Sequence, residues 1–322
     1  MKIIPVHPYP PLINDKLSVP TPTLESYYPT FHSLERAYTL AEESGITPRI
    51  LLLTHPNNPL GIIYPKSVLE EILNWCLSRD VHLISDEIYA GSVYSPPSAQ
   101  PSSMPYAGTT FYSILDILPA ASNDKIWKSR VHWIYALSKD FCLSGLRVGM
   151  CYTENEEILY PMQKLNDLCQ VSSLTQSILT KLLDSSSSSS NSADDSFLVS
   201  FLTQARQRLQ ARSLKVQLFL NSLNIPTLPS EAGMFIWMDL QEFLPPSSNG
   251  TKDEEEREHI LYKELVQSGL LFTPGKSMKM QLPGFFRCVY TAARNENEID
   301  LALHRLKIFV DKKRSFFKVV GD

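Results

Sequence analysis

The chain has 322 residues, 43% hydrophobic and 20% charged, with room for one large globular domain or two. A net charge of -4, with no basic stripe carrying interleaved aromatics, argues against a nucleic-acid-binding protein. No apolar run approaches the roughly 20 residues that span a bilayer, and the opening Met1–Pro8 meets proline too early for a signal peptide.

In chain order, Ile3 to Val6 reads as a short core strand, and Phe31 to Ser44 as a helix stopped by Gly45. Arg49 to Thr54 is a continuous apolar strand followed by the turn His55 to Gly61. Pro65 to Arg79 has helical periodicity, with Leu69, Ile72, Leu73 and Cys76 on one face. Val81 to Ile84 is a buried strand that ends at Ser85-Asp86-Glu87, and Trp133 to Leu137 and Val148 to Tyr152 continue the series. Short apolar strands alternating with helices predict an α/β fold with a mostly parallel sheet covered on both faces. Such sheets place ligands at the carboxyl ends of their strands. Three polar clusters fall at such ends: Asn57-Asn58, Asp86 to Tyr89, and Ser138-Lys139.

Residues 154–183 read as one long helix. Asp184 to Ser192 is a serine tract followed by Ala-Asp-Asp, a low-complexity surface loop or a phosphorylation site. Beyond it come a helix from Phe197 to Leu223, a strand from Met234 to Leu240 and a helix from Glu254 to Ser268. Strands near Leu270 and over Phe286 to Tyr290 and a closing helix from Glu296 complete a smaller α+β domain. Ser247 to Glu258 is polar and charged, a solvated face. The predicted division is 1–183, a ligand-binding large domain; 184–195, the Ser-rich loop; and 196–322, the small domain. The five cysteines lack paired spacing and read as reduced, mostly buried thiols of an intracellular protein. The seven histidines show no ligand spacing, so no metal site is expected, and His55 reads as a packing residue.

The residues that suit chemistry cluster in a few segments. A lysine at the tip of a buried strand loses its proton more readily than in water and suits covalent chemistry with an aldehyde. Lys139 occupies such a tip, and Arg147 follows between glycines, where a guanidinium suits a phosphate or carboxylate. Pyridoxal 5'-phosphate carries both an aldehyde and a phosphate, although a loop lysine beside a surface arginine has the same spacing. Asp86 after its strand either caps a helix or meets a cation, such as a protonated ring nitrogen. Tyr89 and Asn58 suit hydrogen bonds to the ring's phenolic oxygen, while Asn-Asn-Pro is also an ordinary turn. Arg287, a lone base in an apolar strand, needs an anion: a substrate carboxylate or an internal glutamate.

Together Thr54-His-Pro-Asn-Asn-Pro-Leu-Gly61, His82-Leu-Ile-Ser-Asp86-Glu-Ile-Tyr89, Leu137-Ser-Lys139 through Arg147-Val-Gly149, Ala232 to Leu240 and Phe286-Arg287 resemble class I/II, fold-type I aminotransferases. Within that family they are most similar to the 1-aminocyclopropane-1-carboxylate synthase branch. The resemblance implies a fold-type I transferase fold, a pyridoxal 5'-phosphate cofactor, an α-amino acid substrate, a cytoplasmic homodimer and neither nucleic-acid nor membrane partners. It implies catalytic roles for Lys139, Asp86 and Tyr89, with Lys139 as the Schiff-base lysine and proton shuttle. Asn58, Asp86, Tyr89, Ser138, Lys139 and Arg147 would hold the cofactor, Arg147 at its phosphate, and Arg287 would hold the substrate carboxylate. Transamination, γ-elimination to a cyclopropane amino acid and β-elimination with C–S cleavage all start alike, so the outcome stays open. Two departures stand out. Ala136 occupies the place of a phosphate-contacting serine, with Ser138 adjoining the lysine. The chain also begins where the family is already inside the large domain, so the phosphate-cradling glycine loop and the ring-stacking aromatic are expected to lie outside it. A truncated gene model is one expectation; an inactive remnant, or a partner of a full-length homologue, is another.

Overall fold

The structure, a computed structural model, describes residues 2–7, 23–94, 110–118, 126–183, 197–246 and 253–320. These form two compact units. One comprises the described residues within 1–57, 63–95 and 108–208, and the other those within 58–62 and 209–322. The serine tract and residues 247–252 lie outside the described residues.

The first unit is built on a four-stranded sheet of order β1-β2-β3-β4: β1 Ile50–Thr54, β2 His82–Asp86, β3 Val131–Ala136 and β4 Gly149–Thr153. β1, β2 and β3 run parallel, so their carboxyl ends share one edge. Helix α1, Phe31–Glu43, begins at Thr30, whose hydroxyl accepts from the Ser33 amide while Ser33 returns the bond. Helix α2, Lys66–Ser78, buries Leu69, Ile72, Leu73, Trp75 and Cys76 and packs on β2 and α1. Glu35 of α1 joins the two helices by accepting from the Trp75 indole at 2.6 Å and pairing with Arg79.

Five expectations need correcting. Residues 2–7 form no strand, since they meet no ladder partner among the described residues, although the His7 carbonyl accepts from Arg36 at 2.8 Å. β4 does not continue the parallel series but runs antiparallel to β3. Residues 137–148 between them hold no crossover helix, which a parallel connection requires, so the chain doubles back. The region 154–183 holds two helices, α4 Glu156–Asn166 and α5 Ser173–Leu183, rather than one. Ser172 accepts from the Thr175 amide at 3.1 Å and thereby caps α5, so its side chain competes with a continuous helix. Finally, the sheet is not covered on both faces: Ile50, Leu52, Met150 and Tyr152 are exposed. The cysteines follow suit. All five are free, but only Cys76 is buried, while Cys142, Cys151 and Cys169 are exposed.

The second unit carries an antiparallel sheet of order β5-β7-β6, with β5 Ile236–Asp239, β6 Thr273–Pro274 and β7 Phe285–Cys288. Helices α6 Phe197–Ser222, α7 Asp253–Gln267 and α8 Glu296–Val320 follow the predicted order, with the short α3, Ile126–Arg130, preceding β3 in the first unit. The core joins Val216 and Leu220 of α6, Ile236 and Met238 of β5, Leu261 and Leu265 of α7, Phe286 of β7 and Leu306 and Val310 of α8. Gly61, at φ +71°, sits where an added Cβ would lie 2.8 Å from Ser230 Oγ. Its carbonyl accepts from the Glu231 and Ala232 amides, which fastens the Asn58–Ile62 segment to this unit.

Leu261 is fully buried. Leu261→Ala is expected to lower unfolding free energy by about 2–5 kcal/mol, read as a shift in the urea midpoint at unchanged slope.

Candidate active site

The parallel register aligns the strand ends: Thr54 pairs with Asp86, and Asp86 with Ile134. The ladder continues one residue further, with the His55 amide donating to Asp86 O at 2.9 Å and the Glu87 amide to Ile134 O at 3.0 Å. Asp86, Tyr89, Ser138 and Lys139 therefore all leave the sheet at one edge. Antiparallel β4 starts there as well, because Ala136 pairs with Gly149, and so Arg147 reaches the same edge two residues earlier. Arg147 is exposed, sits at φ +54° and donates to the Ser144 carbonyl at 2.8 Å.

Lys139 is half-buried in the turn after β3, and its Nζ stands 6.0 Å from the centre of the Tyr89 ring. Tyr89 is buried. Asp86 is half-buried, and one oxygen accepts from the Ile88 amide at 3.2 Å. Burial raises its pKa, and that amide alone opposes the rise. A carboxylate so placed gains most from a cation brought against it.

Asn58 and Arg287 belong to the second unit and meet there. Arg287 Nη1 donates to Asn58 Oδ1 at 2.8 Å, and Nη2 to Thr273 Oγ1 at 3.2 Å. The guanidinium lies 5.7 Å from the Phe235 ring centre. No carboxylate pairs with Arg287 among the described residues, and its buried Nε has no hydrogen-bond partner there. The internal glutamate envisaged from the sequence is thus absent among the described residues, while the Asn58–Arg287 pair was not foreseen. Its signal was faint: two polar residues 229 positions apart.

Sequence reasoning also missed the supports around the edge. Glu87, buried, accepts from Ser85 Oγ at 3.0 Å and from the Ile114 amide at 2.8 Å, tying residues 110–118 to the sheet. Asp140, buried beside Lys139, collects three donors. His55 is the packing residue expected: it is fully buried and stacks between Tyr64 and Phe111, at 5.5 and 4.9 Å. Its Nε2 faces the Tyr112 carbonyl at 3.1 Å and its Nδ1 the Tyr64 amide at 3.4 Å. This arrangement suits the neutral ring, with the proton on Nε2.

The architecture matches solved structures of aminotransferases. Thermus thermophilus aspartate aminotransferase superposes with a TM-score of 0.65 at 21% identity, covering 88% of this chain and 61% of that one. An aromatic aminotransferase from Pyrococcus horikoshii gives 0.66 at 19% identity, covering 90% and 65%. The fold is thus that of fold-type I aminotransferases. Residues 16–306 match the family model for aminotransferase class I and II, and the chain belongs to that family, whose members are pyridoxal-phosphate-dependent enzymes. Among curated relatives it is 32% identical to 1-aminocyclopropane-1-carboxylate synthase 7 of Arabidopsis thaliana, over 94% of this chain and 67% of the relative. It is 33% identical to a 1-aminocyclopropane-1-carboxylate synthase of Cucurbita maxima, over 89% and 55%, and 34% identical to one of Oryza sativa subsp. japonica, over 88% and 48%. The chain thus spans about half to two thirds of the length of these relatives. No helix among the described residues is long and apolar enough to cross a membrane.

Burial lowers the His55 pKa from 6.5 to about 4. Between those values the unfolded chain binds a proton that the folded chain refuses, so stability falls as pH drops through this window. His55 contributes a slope of up to about 1.4 kcal/mol per pH unit. Urea unfolding from pH 7 to pH 4 is expected to show that loss, and a shallower slope in His55→Phe; an equal slope in both would refute it.

Proposed function

We propose that this chain is the catalytic part of a pyridoxal-phosphate enzyme acting on an α-amino acid, in the 1-aminocyclopropane-1-carboxylate synthase branch. The observation that carries this reading is the single sheet edge at which Asp86, Tyr89, Lys139 and Arg147 emerge. The residues fit the cofactor. Asp86 offers a half-buried carboxylate whose desolvation a cationic ring nitrogen offsets, and Arg147 offers an exposed guanidinium suited to a phosphate. Pyridoxal phosphate, when bound, supplies an aldehyde for an amine and a ring that takes up electron density from the substrate's Cα.

With the cofactor bound, Lys139 would hold its aldehyde through Nζ and would serve as the base for the proton at the substrate's Cα. Tyr89 and Asn58 would hold the ring's phenolic oxygen, Asp86 would keep the ring nitrogen protonated, and Ser138 would add a hydroxyl next to the lysine. Ala136, at the end of β3, has no hydroxyl to give. The buried Nε of Arg287 supports its part as the grip on the substrate's carboxylate, a bidentate contact that fixes the amino acid's orientation. In this reading residues 1–183 form the cofactor-binding domain, 184–195 a loop and 196–322 the small domain. The working enzyme is a cytoplasmic homodimer. Transamination and C–S cleavage share the same first steps, and γ-elimination is favoured by the similarity to the synthases.

The test is covalent trapping. The full chain is mixed with pyridoxal phosphate, reduced with borohydride and digested. The phosphopyridoxyl group is expected on Lys139 in preference to other lysines, with the cofactor's absorbance lost in Lys139→Ala. Label spread evenly over surface lysines would sink the reading. Arg287→Ala is expected to weaken binding of an α-amino acid, followed by the cofactor's spectrum, on the order of 30-fold or more while leaving the Lys139 adduct in place.

A further inference from the structure

Asp140 directly follows Lys139 and is a buried carboxylate that the proposed chemistry does not use. The Gly91 amide donates to its Oδ2 at 2.6 Å and the Tyr135 hydroxyl donates to the same oxygen at 2.8 Å, while the Ser92 hydroxyl donates to Oδ1. Gly91 and Ser92 lie in the short helical turn Ala90–Ser92 that begins right after Tyr89. One carboxylate thus bolts the turn carrying Lys139 to the turn carrying Tyr89 and to β3 beneath. The fit is tight: a Cβ built on Gly91 would lie 2.6 Å from Asp140 Oδ2. From α6, Arg206 donates to the Gly91 carbonyl at 2.9 Å and holds the same turn from its other side. Burying a carboxylate costs several kcal/mol unless it is well paired, and here three donors and a nearby guanidinium offset that cost. Convergence of this kind exceeds what a surface turn needs to keep its shape.

We infer that Asp140 is the positioning residue for Lys139, joining its turn to the Tyr89 turn and so setting the amine beside the Tyr89 ring. Its catalytic meaning rests on the reading of Lys139 as the cofactor lysine, but the geometry is measurable without cofactor. Where an amine must meet an aldehyde, a displacement near 1 Å costs on the order of 100-fold. Asn in place of Asp140 keeps one oxygen for the Gly91 amide and the Tyr135 hydroxyl, and turns an amide group to Ser92, whose hydroxyl can accept instead.

Two readouts on the full chain decide it. In the first, trace acetic anhydride labels lysines without cofactor, and Lys139 is compared by mass spectrometry with the exposed Lys307 in the same digest. Asp140→Ala is expected to bring Lys139 toward the reactivity of Lys307, whereas Asp140→Asn stays near the wild-type ratio. In the second, borohydride trapping of pyridoxal phosphate at Lys139 falls on the order of 10- to 100-fold in Asp140→Ala and recovers in Asp140→Asn. Gly91→Ala, which leaves the carboxylate in place but crowds it, reproduces the Asp140→Ala pattern; it decides the matter if Asp140→Ala lacks a cooperative thermal transition. Wild-type ratios in both Asp140→Ala and Gly91→Ala overturn the inference. Should wild-type Lys139 take up no cofactor at all, the reading of the function fails, and the cofactor-free labelling alone decides the positioning.

Discussion

The constraint on which the rest of this structure depends is the parallel pairing of β1, β2 and β3. A parallel ladder sends every carboxyl end to the same edge, and the register here sets Thr54, Asp86 and Ile134 in one row. Residues far apart in the chain thereby become neighbours without any loop having to reach for another. The antiparallel turn into β4 adds to this, because a strand entering from that edge brings Arg147 to it. Had β4 run parallel, its start would lie at the opposite end of the sheet, about 15–17 Å away for a five-residue strand.

Buried polar groups surround that edge and tie its turns to the sheet. Glu87 and Asp140 are carboxylates inside the fold whose pKa values burial raises, and each is answered by backbone amides and hydroxyls. His55 remains neutral because its stacked, desolvated ring has an acceptor on one side and an amide on the other. Away from this edge, His82 and His132 share a hydrogen bond of 2.9 Å, and burial lowers the pKa of both. Satisfied networks of this sort fix a single arrangement, since any shift leaves a donor or acceptor stranded in a low-dielectric interior. Asp86 differs from Glu87 and Asp140 in having, among the described residues, one amide as its hydrogen-bond partner, so less of its desolvation is offset.

The second unit follows a different logic. Its core is apolar, gathered from α6, α7, α8 and the antiparallel sheet, and the one basic residue in the strands of that sheet is Arg287. Asn58, Thr273 and Phe235 surround this guanidinium while leaving Nε unbonded. Arginine in such a cradle is held by geometry and not by neutralisation, which keeps its charge available to an anion.

Sequence by itself determined most of the elements and the family. The apolar runs mark β1, β2 and β3, although one face of β1 is exposed, and the 3.6-residue periodicity marks the buried face of α2. The motifs around Asn58, Asp86, Lys139, Arg147 and Arg287 carry the likeness to class I/II aminotransferases, and the family model bears it out. What tertiary structure decided were matters of partnership. The Ile3–Val6 run has strand composition but no ladder partner among the described residues, and β4 reverses because its connection carries no crossover helix. The break between α4 and α5 turns on one serine's competition for a backbone amide. Asp140, Glu87 and the Asn58–Arg287 pair were invisible because their meaning lies in donors up to 229 residues distant. Local sequence records what a residue prefers; only the assembled fold supplies the groups that a buried charge must meet.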